Sequence, residues 1–179
     1  MDVAPVGGQC PHTGTVTPPM MCLGFLVRDD NVLLGEKKRG FGCGKVVGPG
    51  GKVEPGETPP AAVVREIAEE TGVDVDPNGL REVGWITYRF PHRPAWDQDA
   101  TVFTASRWTG EPAESDEIAP DWYALAALPL DRMWDDARHW LPRILAGEQL
   151  DVAAVFGPDN ATVAEITVSP ARGIPGRSG

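Results

Sequence analysis

No stretch of about 18 apolar residues occurs in the chain, so nothing in it spans a bilayer as a helix. The N-terminus lacks a basic region followed by an apolar run, which argues against a secretory leader. Cysteine is scarce. Cys10, Cys22 and Cys43 are too few and too scattered for a disulfide framework, and this favours a reducing, cytoplasmic setting. Cys10 and His12 together make only two soft ligands in a stretch read as a tail. Positive charge is also short: 16 Lys and Arg against 26 Asp and Glu leave a net charge of −10. A nucleic-acid polymer needs a basic footprint, so polymers are excluded as partners. His92 and His139 have no recognisable nucleophile partner, which removes the hydrolytic triads.

What remains is a 179-residue chain suited to one domain with a sizeable core. Residues 1–19 are rich in Gly, Pro and Thr and read as a flexible tail; residues 169–179 read the same way, leaving a folded domain over 20–168. Residues 21–27 (MCLGFLV) predict a buried strand, Asp29 to Asn31 a turn, and NVLLGEKK its hairpin partner. Lys37, Lys38 and Arg39 lead into Gly40, Phe41, Gly42, Cys43 and Gly44, a loop that presents an aromatic. Residues 80–90 and 100–108 read as strands, 91–99 as a loop, 110–120 as a polar acidic segment, and 122–127 as a short strand or turn. Residues 131–145 have helical spacing, and 150–168 read as a hairpin about Gly157.

The richest stretch is residues 51–73, GKVEPGETPPAAVVREIAEETGV. Thr58 is placed to cap a helix, Pro59 suits its first position, and Gly72 suits a left-handed stop. Glu66 lies three and four residues before Glu69 and Glu70, which puts the three carboxylates on one helix face. Like charges at those spacings repel, by a few tenths of a kcal/mol per pair in an isolated helix. A cation above them offsets that cost, and an oxygen-only ligand set points to Mg²⁺ or Mn²⁺. Gly48, Gly50 and Gly51, just before the helix, let backbone approach a ligand closely.

This pattern resembles the Nudix box, with Gly51, Glu57, Arg65, Glu66, Ile67, Glu69, Glu70, Gly72 and Val73 at its fixed positions. The resemblance implies an α/β fold, a Nudix α/β/α sandwich around a mixed β-sheet, and a hydrolase of nucleoside diphosphates linked to another moiety. It implies that Glu66, Glu69 and Glu70 bind metal, and that Glu57 and Arg65 pair and brace the loop against the helix. Outside the box, LLGEKKRGFGCGK, ESDEIAPDWY and MWDDARHWLP resemble the MutT-type oxidised-purine nucleoside triphosphatases of that family. That closer likeness implies conversion of purine nucleoside triphosphates such as 8-oxo-dGTP or 2-hydroxy-dATP to the monophosphate plus pyrophosphate.

Carried over by position, the likeness adds Glu117 and the Gly50 carbonyl to the metal set. It gives Lys37 to the nucleotide, with Gly50 and Gly51 bringing backbone to it. Phe41, Tyr88, Phe90, Ile118 and Trp134 would line the base pocket, the Trp134 indole stacking on the purine for about 1–3 kcal/mol. Two departures stand out: the subgroup's base-reading asparagine is Val47 here, and one of its two adjacent aspartates is Ala137. The other is Asp136, and Asp135 lies beside it as a substitute. The expected chemistry is attack by metal-oriented water on the phosphate chain at the β-phosphorus, with Glu66, Glu69 or Glu117 taking the proton. Two other readings stay open: a Nudix enzyme for dinucleoside polyphosphates or unmodified nucleotides, and a non-catalytic nucleotide-binding protein. The sequence leaves oligomeric state and metal number open.

Overall fold

Side chains that alternate along the central strands feed two cores, one on each face of a mixed sheet. The computed structural model describes residues 17–171, and the expected N- and C-terminal tails, with Cys10 and His12, lie mostly outside them. The strands are β1 (Met20–Arg28), β2 (Asn31–Lys37), β3 (Val46–Val47) and β4 (Gly50–Lys52). Helix α1 (Pro59–Thr71) follows, then β5 (Asp74–Val75), β6 (Leu80–Arg89), β7 (Gln98–Ala105), β8 (Trp108–Thr109) and β9 (Ile118–Ala124). Helix α2 (Ala137–Leu145), β10 (Leu150–Phe156) and β11 (Val163–Pro170) complete the described residues.

The main sheet runs β11-β10-β6-β7-β1-β2-β3, with β4 beside β1 and β9 beside β2. The β1–β7 and β6–β10 pairs are parallel; the others in this sheet are antiparallel. Cys22, Leu26, Leu33 and Phe103 face α1 and meet Ala62, Val63 and Ile67. Their sequence neighbours Phe25, Val32, Leu34 and Val102 face the other way, onto Trp140, Leu141 and Ile144 around α2. Period-two alternation on the strands and a 3.6-residue stripe on each helix explain both faces. The architecture is the expected α/β/α sandwich.

Helix α1 begins and ends where its sequence signals lie. Thr58 is extended and accepts a hydrogen bond from the Ala61 N–H, Pro59 is in the first turn, and Gly72 is left-handed at φ 73°. Helix α2 is shorter than the 131–145 spacing predicts. Residues 131–136 form turns, because Met133 and Trp134 are drawn to separate clusters rather than onto one helix stripe. Strand β9 starts inside the polar 110–120 segment, recruited by its antiparallel pairing along β2. Strand β11 runs two residues beyond the expected boundary at 168. Among the described residues no helix is long and apolar enough to cross a membrane.

Two features of this frame position the site. Strand β1 pairs through Met21, Cys22 and Leu23 with β4, so the glycine loop is anchored to the sheet just before α1. Gly24 then lets α1 lie close, since a Cβ there would come within 2.7 Å of Ile67 Cδ1 and 2.8 Å of Val63 Cγ2. Ile67→Ala is expected to destabilise the fold by about 2–5 kcal/mol, the range for emptying a fully buried aliphatic site. Urea unfolding checks this; a change below about 0.5 kcal/mol would show that α1 is not seated by this contact.

Candidate active site

Arg65 is the hub at the start of the site. Its guanidinium donates from Nε and Nη2 to the two Glu57 oxygens at 3.0 and 2.9 Å, and from Nη2 to the Lys52 carbonyl at 3.1 Å. Its Nη1 donates to Glu66 at 2.9 Å and to Glu69 at 3.1 Å. One cation therefore ties α1 to the end of β4 and to the intervening loop. The bidentate pair holds Glu57 below the usual glutamate range, and Glu57 and Glu66 together raise the guanidinium pKa further.

The three helix carboxylates do not converge as the helical spacing predicts. Glu69 is 61% exposed, Glu66 15% and Glu70 3%. Successive residues on a helix are turned about 100° apart, so Glu70 points inward while Glu69 points out. Glu70 accepts from the Gly50 N–H at 2.9 Å and from Lys37 Nζ at 3.4 Å. Burial raises its pKa, against the lowering pull of those two donors. Glu117 accepts from Arg39 Nη2 at 2.7 Å, and that bond lowers its pKa. Among the described residues no three acidic, Cys or His side chains stand together as a ready-made metal cage. The donor set still suits a hard divalent ion: it is all oxygen, and a Cβ on Gly51 would land on the Glu66 carboxylate, so only glycine leaves that carboxylate its place beside the loop.

A cavity of about 590 Å³ joins this acidic end to an apolar one. Lys37, Arg39, Gly50, Gly51, Glu66 and Glu117 line the charged end. Phe41, Tyr88, Phe90, Trp134, Asp136 and Phe156 line the other. The aromatics form a box: Phe41 stacks on Trp134 at 5.0 Å between centroids and 16° between planes, and Phe90 stacks on Phe156 at 4.4 Å and 7°. Trp96 closes edge-on against both Phe41 and Phe90. Phe41 is the one exposed large hydrophobic among the described residues, held on a loop whose Gly40, Gly42 and Gly44 all have φ between 73° and 82°.

Asp136 is the polar group of the apolar end. It is buried, and its Oδ2 accepts from Trp140 Nε1 at 2.7 Å. Its Oδ1 is buried with no partner of hydrogen-bonding geometry. Burial raises the Asp136 pKa, outweighing the Trp140 indole and the Tyr88 hydroxyl, which lower it. Burial and the Asp136 charge likewise hold the Tyr88 phenol well above its usual range.

The structure thus gathers Lys37, Phe41, Gly50, Gly51, Glu66, Tyr88, Phe90, Glu117, Trp134 and Asp136 around one cavity. Glu57, Arg65, Glu69 and Glu70 stand behind its charged end as neighbours of Glu66 and Gly50. Two expected pocket residues lie elsewhere. Ile118 is fully buried under Gly35, whose missing Cβ makes room for it. Asp135 turns away, pairing with Arg138 at 3.0 Å and accepting from the Val163 N–H, because residues 134–136 form a turn rather than a helix face. Phe156 and Gln98 are cavity residues that sequence spacing alone does not mark. Val47 and Ala137 also face the cavity and offer no side-chain hydrogen bond.

The NUDIX domain profile matches residues 18–144, and the chain belongs to the Nudix family of hydrolases. It is 43% identical over 129 residues to the oxidized purine nucleoside triphosphate hydrolase of Danio rerio, covering 72% of this chain and 81% of that protein. Over the same length and the same coverages it is 40% identical to the Mus musculus protein of the same name. Its fold is similar to that of the MutT protein of Bacillus halodurans, with a TM-score of 0.72 at 24% identity, covering 86% of this chain and 99% of the other.

A group with a raised folded pKa supplies stability that is full below its unfolded pKa and is lost as pH rises through the folded one. Asp136 is such a group. Relative to Asp136→Asn, the wild type is therefore expected to lose stability as pH rises above the ordinary aspartate range, about 4. Urea unfolding of both proteins from that pH upward checks the sign; a difference that grows in favour of the wild type would mean that Asp136 is stabilised as the anion.

Proposed function

We propose that this protein is a divalent-metal-dependent pyrophosphohydrolase that converts oxidised purine nucleoside triphosphates to the monophosphate and pyrophosphate. The observation that carries the reading is one cavity with an aromatic box and a buried carboxylate, its Oδ1 without a partner of hydrogen-bonding geometry, at one end and a charged, glycine-lined end at the other. A flat base suits the box, and its polar edge suits Asp136 Oδ1. The polyphosphate suits Lys37 and the backbone of Gly50 and Gly51. The likeness to the two vertebrate hydrolases agrees in substrate class.

Nudix hydrolases work with a divalent metal, and we assign Mg²⁺ here, with Mn²⁺ as its substitute. Glu66, Glu70, Glu117 and the Gly50 carbonyl would hold it. When bound, the ion supplies charge neutralisation of the phosphates and a lowered pKa of attacking water. Glu69, one turn beyond Glu66 and sharing Arg65 with it, is the carboxylate left to accept the proton from water. Arg65 and Glu57 position that set. Trp134 and Phe90 hold the base, while Val47 and Ala137 give its edge an apolar wall. That wall favours a second reading, a triphosphatase with little preference among purines, because discrimination comes from unmatched buried polar groups. We assign the hydrolase unit to residues 20–168, extended to the end of β11 at Pro170, acting in the cytoplasm, where the free thiols of Cys22 and Cys43 persist.

The test is kcat/KM for 8-oxo-dGTP, 2-hydroxy-dATP, dGTP and dATP with Mg²⁺. An advantage of about a hundredfold or more for one oxidised purine supports sanitation by discrimination. Equal rates would establish the generalist. Glu69→Gln is expected to lower kcat by about 10²–10⁴-fold while melting with the wild type, since the residue is exposed. Unchanged turnover would remove Glu69 from the chemistry.

A further inference from the structure

Three consecutive cations at the end of β2 each hold an acid. Lys37 Nζ lies 3.4 Å from Glu70. Lys38 Nζ donates to Glu114 at 2.9 Å and to the Ser115 carbonyl at 2.6 Å. Arg39 Nη2 donates to Glu117 at 2.7 Å. The Lys38 contacts already staple this loop to residues 114–115, so the Arg39 bond is not needed to hold it. Arg39 and Glu117 both line the cavity, and their side chains are 60% and 45% exposed. An ion pair this exposed is worth little, so it exchanges easily. Gly40, next in sequence, is left-handed with no atom within 4 Å of where a Cβ would stand, so the backbone beside Arg39 is unobstructed.

We propose that Arg39 is a polyphosphate-binding residue whose release is coupled to metal binding through Glu117. The inference rests on the reading of Glu117 as a metal-holding carboxylate. Glu117 cannot serve a guanidinium and a divalent ion equally, and the dication is the stronger partner for a hard oxygen. Once let go, Arg39 stands at the charged end of the cavity, and its planar fork matches pairs of phosphate oxygens. Metal and triphosphate then help each other to bind, and the coupling is the same in both directions.

The test measures free Mn²⁺ by electron paramagnetic resonance, with and without the α,β-methylene analogue of dGTP, for the wild type, Arg39→Gln and Glu117→Gln. Arg39→Gln is expected to bind Mn²⁺ alone about two- to fivefold more tightly, because a competitor of exposed-ion-pair strength is gone. The same variant is expected to lose about tenfold or more of the enhancement that the analogue gives the wild type. In EDTA, fluorescence titration should show Glu117→Gln binding the analogue more tightly than the wild type. Glu114→Gln, which removes the same charge from outside the cavity, should not. Unchanged Mn²⁺ affinity and coupling in Arg39→Gln, or equal gains in Glu117→Gln and Glu114→Gln, would overturn the proposal. A wild type that binds Mn²⁺ without any enhancement by the analogue would overturn it too, while leaving the hydrolase reading intact. A wild type that binds no Mn²⁺ would sink that reading and this inference together.

Discussion

The site depends first on the Arg65 guanidinium. Four acids of the box lie within fourteen residues, and three of them, Glu66, Glu69 and Glu70, would repel across one helix turn if unneutralised. Arg65 meets three of them, Glu57, Glu66 and Glu69, and adds the Lys52 carbonyl. The rigid fork does what a lysine could not: it bonds a loop carboxylate with two parallel contacts while its far nitrogen serves the helix. The loop, β4 and α1 thereby become one unit, and that unit is fixed to the sheet through β1. The fourth acid, Glu70, is out of Arg65's reach and is held instead by Lys37 and the Gly50 N–H.

The second constraint is steric. Glycine at 24 seats the helix, and glycine at 51 leaves the Glu66 carboxylate its place beside the loop. The opposite end of the cavity is governed by desolvation. Asp136 is buried with one oxygen satisfied by Trp140 and one left over. An unsatisfied buried oxygen is costly in a folded chain, and such costs persist where a ligand supplies the missing partner. The aromatic box around it gives that partner a flat, dry place to sit.

Much of this was legible in the sequence because it is local. The Thr58 cap, the Gly72 stop and the acidic helix follow from spacing within about twenty residues, where helix geometry leaves few alternatives, and the resemblance to a family supplied the Glu57–Arg65 pair. What escaped was set by tertiary contacts. Glu70 and Glu69 differ in burial because of what lies across from each, Lys37 and solvent. Asp135 left the pocket because residues 131–136 turn instead of coiling. Ile118 went to the core because β9 pairs along the whole of β2. Phe156 entered the box from a strand about twenty residues beyond Trp134, and no local pattern marks it. The resemblance to a family supplied Trp134, Phe90 and Asp136, residues whose proximity to Glu66 no spacing rule could have given.

On the proposed function, one cavity binds a purine at its aromatic end and cleaves the phosphate chain at its acidic end. The most direct measurement is product analysis after incubating the protein with 8-oxo-dGTP and Mg²⁺, resolved by anion exchange. The expected products are 8-oxo-dGMP and pyrophosphate in equal amounts, with none of either when the metal is chelated. Release of orthophosphate with the diphosphate, or turnover that survives chelation, would contradict that function.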